Sequence, residues 1–371
     1  MMSQSGIKEI AWLDCPGGGQ VVVEGDYAYI GHMSAPAGTT VVDISDRANP
    51  RIVAELAMPP NTHSHKVRVG NGLMIKNHER LSGPQAEGFM GGLGIYDNTD
   101  PKNPRHICDW ETAGKGVHRF DFDGRYAYIS PTVEGYIGNI VMILDLQNPE
   151  RPEEVGRWWM PGQWAAGGED INPAWEREPR CHHPLRLGNR LYTSYWHAGF
   201  VILDIEDMSK PRFVSGLDWS PPFPWPTHTT LPIPFPIQGR NVMLVADEDV
   251  AQLYPSSPSF LWMVDITDEK RPTPFASFQL DDVDGSPQPP MTGCHQPCEI
   301  VTGTEIPVAW FAGGLRVVDI AKPHAPKEVA HFLPDPPPGS ERVSSNDVTI
   351  DDNGLLFLLD RVRGLHILER S

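Results

Sequence analysis

Residues 139–152 read NIVMILDLQNPERP: an apolar run, then Asp145, six further residues and Pro152. The same signal stands at Asp43 to Pro50, Asp97 to Pro104, Asp204 to Pro211, Asp265 to Pro272 and Asp319 to Pro326. The Asp-to-Pro gap never changes, and the copies lie about fifty to sixty residues apart, a period that marks a repeat architecture. Asp can hydrogen-bond the backbone that follows it and start a turn. Pro lacks a donor and suits the entry to an edge strand. Both residues are therefore read as structural.

One unit resolves into four short strands. In the third copy, Gly116 to Phe122 ends in the alternation Phe-Asp-Phe. Asp123-Gly124 makes a hairpin turn. Arg125 to Ser130 is a second strand, Asn139 to Leu146 a third that is apolar on both faces, and Glu154 to Trp159 a more polar fourth. Four antiparallel strands per repeat form the blade of a β-propeller. Blades begin near residues 19, 65, 118, 183, 228, 295 and 346. The last copy stops after its third strand (Gly364 to Glu369), while Ile7 to Leu13 is a strand with no blade before it. The sequence thus predicts an all-β, seven-bladed propeller, one domain over 1–371, with residues 7–13 completing the last blade.

The 371 residues include 38 Pro and 35 Gly, which fits turns rather than long helices. A net charge of -18 argues against nucleic acid as a partner. No apolar run is long enough to span a membrane, and residues 1–16 lack the pattern of a secretory signal. Five cysteines (Cys15, Cys108, Cys181, Cys294, Cys298) have no disulfide-framework spacing, so a reducing cytoplasmic location is expected. No serine triad, P-loop or dinucleotide fingerprint is present.

The third strands TTVVDIS, IVMILDL, FVILDIE, LWMVDIT and LRVVDIA resemble the LVIVD repeat. That resemblance implies the propeller fold and says little about activity, because the motif is core. The stretch Pro59-Pro60-Asn61-Thr62-His63-Ser64-His65 is more distantly similar to the His-rich strand start of selenium-binding proteins, propellers related to methanethiol oxidases, and implies a metal.

The start of each first strand carries the chemistry. His65, His118 and His183 each precede the first apolar residue by two positions, and His228 and His295 lie close to that position. Imidazoles converging on a propeller axis would make a transition-metal site, with Fe, Cu, Mn or Zn as the cofactor. Asn, Ser or Asp would serve equally well if the position only satisfied backbone groups, yet only the seventh blade uses one. The candidate metal ligands are therefore His65, His118, His183, His228 and His295. Glu79, Glu248 and Asp347, with Asp247, Asp249 and Glu299, are candidates to orient them from behind. His63, His182, His197 and Tyr195 are candidate acid/base residues. No organic cofactor is expected. Two Trp/Pro-rich loops, 158–179 and 220–236, with Trp164, Trp175, Trp196 and Trp225, suit a pocket wall for a small-molecule substrate or a homo-oligomer contact. The reading is a metal-dependent oxidoreductase. The alternatives are a metal-dependent lyase or hydrolase and a non-catalytic scaffold.

Overall fold

The structure is a computed structural model that describes residues 3–58, 60–80, 89, 91–220, 222–248, 259–280 and 293–371. Seven antiparallel sheets of at least four strands, with one short 3-10 turn as the helical content of the described residues, make the fold a seven-bladed β-propeller. No helix among the described residues is long and apolar enough to cross a membrane.

The Asp-to-Pro signal works as its chemistry predicts. The backbone N–H two residues on donates to the Asp Oδ1 in all six copies, from Ser45 to Asp43 (3.0 Å), Thr99 to Asp97 (2.9 Å) and Gln147 to Asp145 (2.8 Å). Glu206 to Asp204 (2.9 Å), Thr267 to Asp265 (2.9 Å) and Ala321 to Asp319 (2.8 Å) complete the set. The fourth strand starts immediately after the Pro each time, at Arg51, Arg105, Glu153, Arg212, Thr273 and Lys327. The donor that Pro lacks is therefore never missed inside the ladder.

The chain divides into two compact units. One comprises Met1–Ala28, Val42–Arg51 and Pro224–Ser371; the other comprises Tyr29–Val41 and Ile52–Phe223. The second contains blades two, three and four whole. In blade three, Val117–Phe122, Tyr126–Pro131, Val141–Asp145 and Glu153–Trp158 pair in that order. Its third strand is apolar on both faces because each face meets a neighbouring sheet. Met142 and Leu144 pack with Ile75, Leu93 and Ile95 of blade two. Val141 and Ile143 pack with Leu191, Val201 and Leu203 of blade four. Strand side chains alternate with period two, so a sandwiched strand needs a continuous apolar run.

The first unit contains blades five, six and seven whole. The last blade has three strands from the C-terminal end, Ser345–Ile350, Leu356–Asp360 and Gly364–Arg370, and takes Ile7–Leu13 as its fourth, with Ile7 opposite Arg370 and Leu13 opposite Leu365. Ile7 is buried in a core with Phe332, Val348, Leu358 and Leu368. A pairing that the repeat did not reveal adds Ser3–Ser5 to the outer edge of Lys327–Leu333 in blade six.

Candidate metal centre

A β-bulge recurs where the first strand begins in blades three, four, five and seven. In blade four, Cys181 faces Tyr195 and His183 faces Ser194, leaving His182 as the extra residue. In blade five, Thr227 faces Asp247 and Thr229 faces Ala246, leaving His228. In blade seven the extra residue is Asn346. In blade three, His118 and Arg119 span the bulge, with the Arg119 N–H on Ser130 Oγ at 2.9 Å, as the His183 N–H is on Ser194 Oγ at 3.2 Å. Lys66 holds the same slot in blade two, its N–H on Asn77 Oδ1 at 2.8 Å. A bulge frees one residue from the ladder and re-aims its side chain.

These pairings correct the sequence alignment. The residues that share the bulge slot are His65, His118, His182, His228 and His295, with Asn346 in the last blade. His183 lies one residue further in, in the slot of Lys66 and Arg119. The slip arises because Pro184, Thr230 and Pro297 occupy the ladder position that Phe120 and Val67 fill elsewhere. Counting back from the first aliphatic or aromatic residue therefore misplaced blade four and made His228 and His295 look out of register.

Within the unit of blades two to four, four imidazoles stand in a row. Ring centroids are 3.7 Å apart for His63 and His65, 4.9 Å for His65 and His118, and 4.7 Å for His118 and His182. Trp196 closes the row, stacked on His182 at 5.3 Å. All four histidines are buried. Glu79, two residues past the bulge partner Asn77, joins them. Its Oε2 accepts from His118 Nδ1 at 2.6 Å and its Oε1 from Arg180 Nη2 at 2.9 Å. Potential ligand atoms of His63, His65 and Glu79 lie within 4.8 Å of one another.

The hydrogen bonds fix the tautomers. His63 Nδ1 donates to the Met33 carbonyl at 2.6 Å, and a carbonyl can only accept, so the lone pair is on Nε2. His118 Nδ1 donates to the Glu79 carboxylate, with the same result. His65 Nδ1 is buried with no hydrogen-bond partner. Burial is the main cause that holds His65, His118 and His183 well below the ordinary imidazole range, aided by neighbouring cations. They are neutral at pH 7, the protonation state a metal requires. Burial also pushes Glu79 up, against the pull of Arg180. The two donors on its oxygens are nonetheless the surroundings of a carboxylate.

The unit of blades five to seven repeats the device. His228 and His295 have ring centroids 4.2 Å apart. His295 Nδ1 donates to the Asn346 carbonyl at 2.5 Å, and Glu248 Oε1 lies 3.4 Å from Nε2. Gln296 Nε2 donates to the Pro297 carbonyl (2.8 Å) and to Glu299 (2.9 Å), so Gln296 Oε1 must accept from Thr229 Oγ1 (2.9 Å). Thr229 then accepts from His228 Nδ1 at 2.8 Å, leaving the His228 lone pair on Nε2. Glu248 occupies the slot of Glu79, two residues past the bulge partner Ala246.

Other expectations fare differently. Tyr195 is fully buried in the core between blades three and four beside Cys181, and its hydroxyl is pushed far up by burial, which does not suit a candidate acid/base residue. His197 sits on the turn after Trp196 at φ 57°, 3.3 Å from Arg177, and is lowered to about 4 by burial. Asp347 accepts from the Val21 N–H at 3.0 Å, so the group behind His295 is the neighbouring Asn346 carbonyl instead. Asp247 is engaged by Trp262 Nε1 at 2.6 Å, and Asp249 lies outside the described residues. The five cysteines form no disulfide; burial raises Cys181 and Cys294 strongly and Cys298 to about 12. They are protonated and poor metal ligands. Of the loop aromatics, Trp225 is buried, and Trp164 packs on Trp159 with ring centroids 5.6 Å apart.

The LVIVD repeat family matches residues 18–56, 187–218 and 307–333, which belong to blades one, four and six. No curated protein sequence matches the chain. Among solved structures, the β-propeller domain of Myceliophteria thermophila Cps50 (Swd1) aligns with TM-score 0.62 at 11% identity, covering 100% of both chains. The C-terminal WD40 domain of Sif2 gives 0.60 at 10% identity over 98% of each chain. Saccharomyces cerevisiae Sqt1 gives 0.57 at 8% identity, over 96% of this chain and 86% of that one. At such identity these likenesses concern the fold alone.

Proposed function

For this LVIVD-repeat β-propeller we propose a metal-dependent enzyme, an oxidoreductase acting on a small organic substrate, with the ion held by His63, His65 and Glu79. The observation that carries the reading is the convergence of ligand atoms of His63, His65 and Glu79 within 4.8 Å of one another, beside anchored imidazoles. His63, His118, His228 and His295 each donate Nδ1–H to a fixed acceptor, which leaves the lone pair on Nε2. Ligating histidines are oriented by such acceptors. Two histidines and one carboxylate are a donor set for Fe(II), Mn or Zn, and its open positions would bind substrate or oxygen.

The chain's own residues supply the rest. His118 and Arg180 hold the two oxygens of Glu79, setting the direction of its remaining lone pairs. Burial of the row excludes water and keeps the imidazoles neutral. His182, outside the ligand trio and stacked on Trp196, would be the residue to take or give a proton. That placement favours the second reading, in which the metal acts as a Lewis acid in a lyase or hydrolase.

Metal analysis of protein purified without chelator is the test. Stoichiometric metal lost in His63→Ala and His65→Ala is expected. His183→Gln, one slot away from the row, should keep its metal. A coloured or paramagnetic centre supports the oxidoreductase and a colourless zinc centre the lyase. Absence of stoichiometric metal, with His65→Ala unaltered, would leave the scaffold reading.

A further inference from the structure

Beside the histidine row, within the same unit, lies a cavity of about 440 Å³ lined by Lys115, Thr132, Glu134, Tyr136, Asn139 and Arg180 among others. It is small among ligand pockets but sufficient for a compact organic molecule. Its wall is built in advance. Thr132 Oγ1 donates to the Ala113 carbonyl at 2.6 Å and accepts the Gly116 N–H at 3.0 Å. Asn139 Nδ2 donates to the Ser130 carbonyl at 2.8 Å, and Gln163 Nε2 ties the carbonyls of Ile137 (2.8 Å) and Asn139 (3.1 Å).

Arg180 connects this cavity to the proposed metal ligands. One guanidinium nitrogen, Nη2, is on Glu79, and the group lies 4.9 Å over the Trp196 ring, while Arg180 also lines the cavity. A guanidinium has five donors, so a partner at one edge leaves others to serve a ligand. Thr132 holds the same slot past the bulge partner as Glu79 and Trp196, so the cavity wall and the histidine row are built from adjoining strand ends.

We infer that this cavity takes a small organic monocarboxylate, its carboxylate received by Arg180 with Lys115 at the rim, its organic part against Tyr136. The planar fork of Arg matches a carboxylate in two parallel hydrogen bonds. The half-buried Arg180 acts through little solvent, whereas the acidic lining residues Glu134 and Glu178 are exposed and screened. A dianion such as a phosphate monoester would face Glu79, Glu134 and Glu178 together and is disfavoured. The inference names the substrate class of the enzyme proposed above and rests on that reading for the reaction, though not for the binding.

The test titrates the full chain, once stripped by chelator and once metal-loaded, with benzoate, benzamide and phenyl phosphate by calorimetry. Benzoate is expected to bind about tenfold or more tightly than its neutral isostere benzamide and than phenyl phosphate. Arg180→Gln should remove the preference for benzoate over benzamide. Because Arg180 also holds Glu79, Lys115→Gln provides a second variant, one whose charge acts on Glu79 without a hydrogen bond to it, and should weaken benzoate a few-fold while leaving benzamide unchanged. Equal binding of benzoate and benzamide, tighter binding of phenyl phosphate, or a benzoate preference that survives Arg180→Gln overturns the inference. Benzoate binding to a protein that takes up no metal sinks the metal enzyme and keeps the carboxylate site; metal uptake without benzoate preference does the reverse.

Discussion

Replacing Glu79 with Gln removes one charge and almost no volume. In the native protein Arg180 stands 2.9 Å from Oε1 and His118 Nδ1 stands 2.6 Å from Oε2. At an effective dielectric of about 20, unit charges at that Arg180 distance attract by about 6 kcal/mol. Desolvation of the carboxylate opposes this, since the Glu79 side chain is only 9% exposed. Burial is also the largest influence on its protonation, and it raises the pKa. Arg180 is 26% exposed and can be rehydrated once its partner is gone. The cost therefore falls below the ~3–5 kcal/mol of breaking a fully buried pair, and about 2 kcal/mol is expected for Glu79→Gln.

The amide can still accept from one donor, but its NH2 group then confronts the other, so the row also loses alignment. Metal affinity should drop by about 100-fold or more, the combined loss of an anionic ligand and of the group that orients His118. Urea denaturation of the stripped protein reads the first effect and competitive metal titration the second. A double-mutant cycle with Arg180→Gln should give a coupling of about 1–3 kcal/mol. Wild-type metal affinity in Glu79→Gln, or a coupling near zero, would refute the reasoning that ties the carboxylate to both partners.

Asp145→Ala removes the acceptor for the Gln147 N–H and the paired bonds from Arg125 at 3.0 and 2.6 Å; a loss of about 1 kcal/mol in urea denaturation is expected. Deleting residues through Leu13 strips the outer strand from Gly364–Arg370 and uncovers the core around Ile7; calorimetry should show a lower, less cooperative transition, and an unchanged one would contradict the pairing. Lys76 is buried, with Nζ 3.3 Å from the Ala57 carbonyl, and burial lowers it from 10.5 to about 8. The unfolded chain therefore holds a proton that the folded one releases, so this group's contribution to stability rises with pH from about 8 to 10.5. Lys76→Met should raise stability at pH 7 by about 1–3 kcal/mol and remove that rise, measured by denaturation across pH.

The repeat was legible because its punctuation is local. Asp145 bonds a backbone group two residues away and Pro152 acts on its own φ, so neither depends on distant packing. The chain-end pairing was legible because the last copy is short by one strand. The bulge was not. It depends on which residue faces which across two strands, and Pro184 or Thr230 in place of an aliphatic residue hides the register. The burial of Tyr195 was not legible, because a tyrosine at a strand end reads the same whether it points to solvent or, as here, into the core between two sheets. Arg180 was missed altogether. It precedes the histidines by sequence yet works through Glu79, 101 residues away, and nothing in a lone arginine signals such a partner.

The bulge explains why the histidines are tolerated as well as how they are placed. Buried imidazole costs free energy unless its N–H is satisfied. At a regular strand position the ring would lie between sheets, where apolar residues such as Phe120 and Val117 pack. At the bulge the side chain leaves that layer and meets the start of the next first strand or the slot two residues past the bulge partner. His295 reaches the Asn346 carbonyl in the first way, and His118 reaches Glu79 in the second. That second slot holds Glu79, Thr132 and Trp196 in one unit and Glu248, Phe311 and Arg361 in the other, each list taken in blade order. A carboxylate therefore appears once per unit, followed two blades later by a large stacking or cationic side chain. Mere structural filling of a strand end would not require that order. A carboxylate that anchors or completes a set of neutral imidazoles does, because a second carboxylate in the same row would add an uncompensated buried charge.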